Sequence, residues 1–209
     1  MLTCNSINKI KGGKMKKIYI VLTYTGTILS RIIKGYTRAE FSHVSISLDE
    51  ELTQMYSFGR LNAYNPFIGG FVHEQIDKGT FKRFKNTKSK VYSLEITDEQ
   101  YDIIRATINE FEKSKKEYKF NICGLFAAGF NIRIKRKKSL YCAEFVKHVL
   151  EISKVKTDLP EIIKPEHFKD INELKLIYSG KLKNYTSAKR NVTESLKNLL
   201  VYKGKEGII

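Results

Sequence analysis

Among the side chains of this protein that could act as nucleophiles, Cys142 stands where a thiol becomes reactive. It lies in Tyr141-Cys142-Ala143-Glu144-Phe145-Val146, just after the basic run Arg133 to Lys138, and Phe145, Val146, Val149 and Leu150 then recur at helical spacing. The spacing predicts a helix capped by Ser139, with Cys142 in its first turn. There the unpaired N–H groups and the helix dipole favour an anion, and the preceding cations act in the same direction, so thiolate chemistry is expected. A thiolate needs a base, and His43 is the natural one. The segment Phe41 to Leu48 alternates: His43, Ser45 and Ser47 face one way, Val44, Ile46 and Leu48 the other. His43 thus shares a face with small hydroxyls rather than with core aliphatics. The competing reading is structural for both, because free cysteine is commonly a small buried hydrophobe and a strand histidine is commonly satisfied by its neighbours.

The remaining candidates offer less. His73, His148 and His167 lie in polar or amphipathic contexts and read as surface or structural groups, and Cys123, between Ile122 and Leu125, reads as buried. Three cysteines, Cys4, Cys123 and Cys142, are an odd number at wide spacing without a Cys-x-x-Cys pair. They predict neither a disulfide framework nor a metal site. No phosphate-cradling loop, dinucleotide fingerprint or metalloprotease helix is present, and the expected chemistry needs no cofactor.

Several elements must hold these two residues. Ile18 to Leu22 reads as a buried strand ending at Thr25-Gly26-Thr27, and Ile28, Leu29, Ile32 and Ile33 as a helix that Gly35 ends. The His43 strand turns at Asp49-Glu50-Glu51 into a returning strand, Leu52 to Phe58, followed by a loop, Asn62 to Gly70, that could wall a cleft. Val91 to Ile96 is a further strand. Thr97 and Gln100 then form a capping box for a helix whose apolar stripe is Tyr101, Ile104, Ile108 and Phe111. Lys175 to Tyr178 reads as a last strand. Residues 15–180 are expected to form the domain, with a polar extension over 1–14 and a peripheral basic one over 181–209 that holds a short helix near Val192 to Leu200. Lys11-Gly12-Gly13-Lys14 precedes Met15, which is the expected native start.

With 42% hydrophobic residues among 209, the chain can bury one core, and no apolar run is long enough for a membrane span or a signal sequence. The expected location is the cytoplasm. Lysine and arginine number 38 against 22 acidic residues, a formal charge of +16, which favours anionic partners such as nucleic acid or an acidic membrane surface.

The segment from Thr23 to Ser47, with its Phe41-Ser42-His43-Val44-Ser45-Ile46, together with the later Tyr141-Cys142-Ala143-Glu144, resembles the permuted NlpC-type papain-like cysteine peptidases and amidases of the YaeF/YiiX kind. In that family a strand bearing the histidine precedes the helix bearing the cysteine. The resemblance spans roughly Ile18 to Tyr178 and implies an α+β papain-like fold, with a central antiparallel sheet packed on the cysteine helix. It also implies a third polar group that orients the imidazole. At the matching place stands Ser57, with Gln54 or Glu74 as alternatives, and Tyr24 and Tyr141 would line the substrate site. The implied activity is that of a bacterial thiol hydrolase, amidase or peptidase, or an acyltransferase, working through an acyl-enzyme on an amide or ester substrate such as a cell-wall peptide or a lipid-linked acyl group. The rival expectation is a papain-like binding module without catalysis that takes an anionic partner.

Overall fold

A computed structural model describes residues 15–37, 39–65, 68–134 and 136–186. The proposed extension over 1–14, with the question of Met15 as the start, and the helix near 192–200 lie outside them.

The fold is α+β. Six strands form one antiparallel sheet in the order β4-β3-β2-β1-β5-β8: β1 (Met15–Tyr24), β2 (His43–Ser47), β3 (Met55–Arg60), β4 (Gly69–Glu74), β5 (Lys88–Thr97) and β8 (Lys175–Lys181). Two short segments, β6 (Lys119–Phe120) and β7 (Ser139–Leu140), pair in parallel apart from it. The helices are α1 (Ile28–Thr37), α2 (Gly79–Arg83), α3 (Asp98–Lys113), α4 (Ile122–Gly129) and α5 (Cys142–Ile152). No described helix is long and apolar enough to cross a membrane.

β1 is apolar at every position from Ile18 to Leu22 because both of its faces are covered. Ile18, Ile20 and Leu22 enter the main core, while Tyr19 and Val21 enter a second cluster with Leu52, Met55, Phe81 and Val91. A strand buried on both faces has no polar side to alternate with. The main core takes Val44, Ile46 and Leu48 from the β2 segment, Ile104, Ile108 and Phe111 from α3, and Phe145, Val146, Val149 and Leu150 from α5. Phe145 lies 5.2–5.5 Å from the rings of Phe58, Phe71 and Phe111, a contact that fixes α5 against β3 and β4.

The predicted capping box is present: Gln100 N–H donates to Thr97 Oγ1, and Thr97 N–H donates to Gln100 Oε1. Other boundaries differ. α1 continues past Gly35 to Thr37, and the strand after the turn starts at Met55 rather than Leu52. Leu52 instead sits in the turn at φ 57°, with its side chain buried. α5 is not capped by Ser139, which lies in β7; Tyr141 is the cap residue, and its N–H donates to the Glu144 carboxylate at 3.1 Å. The sequence reading also missed β4 and α2. Finally, residues 182–185 are not peripheral. Leu182 and Tyr185 are buried in the second cluster, so the domain runs beyond residue 180.

Candidate active site

Cys142 is the first residue of α5, and β7 delivers the chain to it. Its helix must begin there because the amphipathic stripe from Phe145 to Leu150 docks on the sheet, which brings the first turn to the start of β2. The thiol is 1% exposed, and Cys142 and Ala143 supply first-turn N–H groups for which the helix holds no acceptor.

His43 opens β2, paired with Thr23 of β1. Its side chain is 19% exposed, and its Nε2 lies 2.9 Å from Glu74 Oε1. Cys142 lines the same cavity as the ring and acts on it electrostatically. Burial of the ring lowers its pKa. The Glu74 charge, the hydrogen bond to Cys142 and the Cys142 charge together outweigh burial and raise His43 to about 10. The carboxylate beside the ring thus favours its imidazolium form.

Glu74 ends β4 rather than lying in a loop as expected, and it reaches His43 across β3. Its other oxygen accepts from Ser45 Oγ at 2.5 Å, so both carboxylate oxygens are engaged on residues of β2. Gly59 of the intervening strand stands beside the pair, and a Cβ there would lie in van der Waals contact, 3.4 Å, with both His43 Cε1 and Glu74 Oε1.

Cys142, His43 and Glu74 line one cavity with Gly59, Arg60 and Phe120, a space of about 60 Å³ with room for a few water-sized groups. The geometry corrects several expectations. Ser57 is not the third member: its hydroxyl is fully buried and donates to the Val44 carbonyl at 2.8 Å, tying β3 to β2 behind the site. Gln54 is exposed before β3 begins, and its N–H donates to Asp49 Oδ1. Of the three alternatives for the third role, the residue on the imidazole is Glu74. Tyr24 and Tyr141 do not line the cavity. Lys34 Nζ stands 4.9 Å from the Tyr24 ring, and the buried Tyr141 hydroxyl donates to the Ile163 carbonyl. Cys123 is exposed on α4, not buried. His73 is exposed and hydrogen-bonded to the Thr53 carbonyl, and His148 and His167 are partly buried away from the cavity.

Arg60, the last residue of β3, was not singled out from the sequence, where it lies between a strand and an irregular loop without any motif. The basic run before Cys142 is partly compensated, since Arg133 pairs with Glu161 and Lys138 with Glu117. Among the described residues no group of three or more His, Cys, Asp or Glu side chains is arranged to hold a metal ion.

No protein-family model matches this chain, and no curated protein matches it either.

Proposed function

We propose that this protein is a thiol hydrolase or acyltransferase of permuted papain-like type, with Cys142 as nucleophile, His43 as its acid and base, and Glu74 orienting the imidazole. The single observation that carries the reading is that Cys142, His43 and Glu74 line one cavity, with His43 Nε2 2.9 Å from the carboxylate. An imidazolium held in that way serves both halves of an acyl transfer. The Cys142 sulfur forms a bond to the carbonyl carbon of an amide or ester, and the oxyanion is met by first-turn N–H groups of α5. The bond to the leaving amine or alcohol then breaks, taking the His43 proton with it. In the second half His43 removes a proton from water or an acceptor, the new bond to the acyl carbon forms, and the Cys142 thiolate leaves. Glu74 keeps the ring aimed at sulfur and stabilises its positive charge throughout.

Substrates of the kind the resemblance implies, a cell-wall peptide or a lipid-linked acyl group, fit this chemistry. The rival reading, a binding module for an anionic partner, rests on the serine at position 57 and on the basic surface; the Glu74 carboxylate on His43 supports the catalytic reading instead.

The decisive measurement is the rate of iodoacetamide labelling of Cys142 across pH, in the native protein and in His43→Ala, with the modified peptide followed by mass. The expected result is fast labelling at neutral pH that is lost in His43→Ala. Slow labelling that ignores residue 43 would overturn the proposal and leave a binding module for an anionic partner as the better reading.

A further inference from the structure

Arg60 enters the cavity of Cys142 and His43 as a cation without a counter-ion among the described residues. It is partly buried, and the ion pairs among the described residues leave it out. Its Nη2 donates to Thr27 Oγ1 at 2.6 Å, and its guanidinium lies 5.9 Å from the Phe84 ring centre. Those contacts hold the group in place but leave its charge uncompensated. The carboxylate that shares the cavity, Glu74, has both oxygens committed to His43 and Ser45. Burial, and then the charge of Arg83, push the Arg60 pKa below the usual arginine value, the direction expected of a cation short of anions.

A second opening widens the case. Arg60, Glu74, Thr80 and Phe81 line both the Cys142 cavity and an adjoining groove of about 220 Å³. Lys78 also lines that groove, and Arg83 donates to the carbonyl of Ala63 on its wall. Glu74 is the groove's one acidic side chain, so the free charge there is positive. A partly desolvated arginine with an open fork recognises a planar or tetrahedral oxyanion better than any neutral group.

We propose that Arg60 is the specificity-determining residue of the site: it binds an anionic group, carboxylate or phosphate, on the acyl substrate, placed in the groove beside the carbonyl that Cys142 attacks. This rests on the thiol-hydrolase reading above. The substrate class is then an amide or ester that carries an oxyanion close to its scissile bond, and neutral acyl compounds are poor substrates.

The test compares two alkylating reagents of nearly equal size on Cys142, anionic iodoacetate and neutral iodoacetamide, in the native protein, Arg60→Gln and Arg60→Lys. The glutamine keeps a donor for Thr27 while removing the charge, and the iodoacetamide rate reports whether each variant retains a formed site. Loss of one close, partly desolvated charge should lower the iodoacetate-to-iodoacetamide rate ratio by about tenfold in Arg60→Gln, with recovery in Arg60→Lys. Inorganic phosphate and acetate, added as competitors, should slow iodoacetate labelling of the native protein more than of Arg60→Gln. Greater protection by phosphate assigns a phosphate-bearing substrate, and greater protection by acetate a carboxylate-bearing one. A ratio indifferent to residue 60 while iodoacetamide labelling stays fast and dependent on His43 overturns the anion subsite alone. Slow labelling by both reagents regardless of His43 overturns the thiol reading and this inference with it.

Discussion

Each carboxylate oxygen of Glu74 has its own partner, His43 on one side and Ser45 on the other, so the carboxylate cannot rotate away from the imidazole without breaking both bonds. That double anchoring is what a positioning residue needs. In Glu74→Gln the ring loses its largest stabilising charge, and the His43 pKa moves down from about 10 towards the ordinary histidine range. NMR titration of the ring reads this directly, and alkylation of Cys142 at neutral pH should slow by about a hundredfold. The same shift appears in stability. Because the folded pKa of His43 is raised, its contribution is complete below the unfolded value of about 6.5 and is lost as pH rises through about 10. Thermal unfolding of the native protein should therefore weaken across that window relative to Glu74→Gln, and equal slopes would contradict the imidazolium. Cys142 and His43 were legible as residues because each lies in an element with a clear period. Glu74 stood as one alternative among three, since nothing local shows which side chain of a neighbouring strand reaches across.

At the scale of elements, the approach to Cys142 depends on Asn121. Its Oδ1 accepts from Gly124 N–H at the start of α4, its Nδ2 donates to the Ile134 carbonyl, and its own N–H donates to the Leu140 carbonyl. One fully buried amide thus joins α4, the basic loop and β7, the strand that leads into α5. Asn121→Ala removes a helix cap and the donor to the Ile134 carbonyl, at a cost of about 1–2 kcal/mol. A fall in the thermal midpoint checks this, and an unchanged midpoint would show that the loop is held by other means. β4 was illegible for a definite reason. It begins with Gly69-Gly70, which argues for a loop by propensity, yet a Cβ on Gly69 would meet the Gly59 carbonyl and Phe120 Cβ at 2.8 Å. The glycines are there because β3 and β6 approach closely, and such an approach is a tertiary fact. α2 spans only five residues, too short to show a helical period.

For the molecule as a whole, the second core cluster closes the far side of the sheet with residues from distant parts of the chain. Tyr185 is 3% exposed, packs edge-on at 5.2 Å against Tyr178, and donates its hydroxyl to the Glu50 carbonyl in the turn after β2. Tyr185→Ala should cost about 3–5 kcal/mol and Tyr185→Phe about 1 kcal/mol, measured by denaturant unfolding. A negligible cost for alanine would return this segment to the periphery. The formal charge of +16 acts at the same scale, as a field that favours anions near the protein, while Arg60 is the point where the structure places a cation, unpaired among the described residues, inside a cavity with the candidate nucleophile.

The sequence by itself determined what depends on local periodicity and capping. It marked β1 as a strand, α3 as a helix opened by Thr97, Cys142 as a first-turn residue and His43 as a polar-face residue, because side-chain direction within one element follows from its own repeat. The tertiary structure alone decided which distant groups meet. Glu74 reaches His43 from 31 residues away, Ser57 is spent on the Val44 carbonyl, Arg60 turns into the cavity, and Tyr185 closes the second cluster. The physical reason is register: cross-strand neighbours are set by non-local hydrogen bonding and by where small residues such as Gly69 leave room, and neither is written in the period of any single strand.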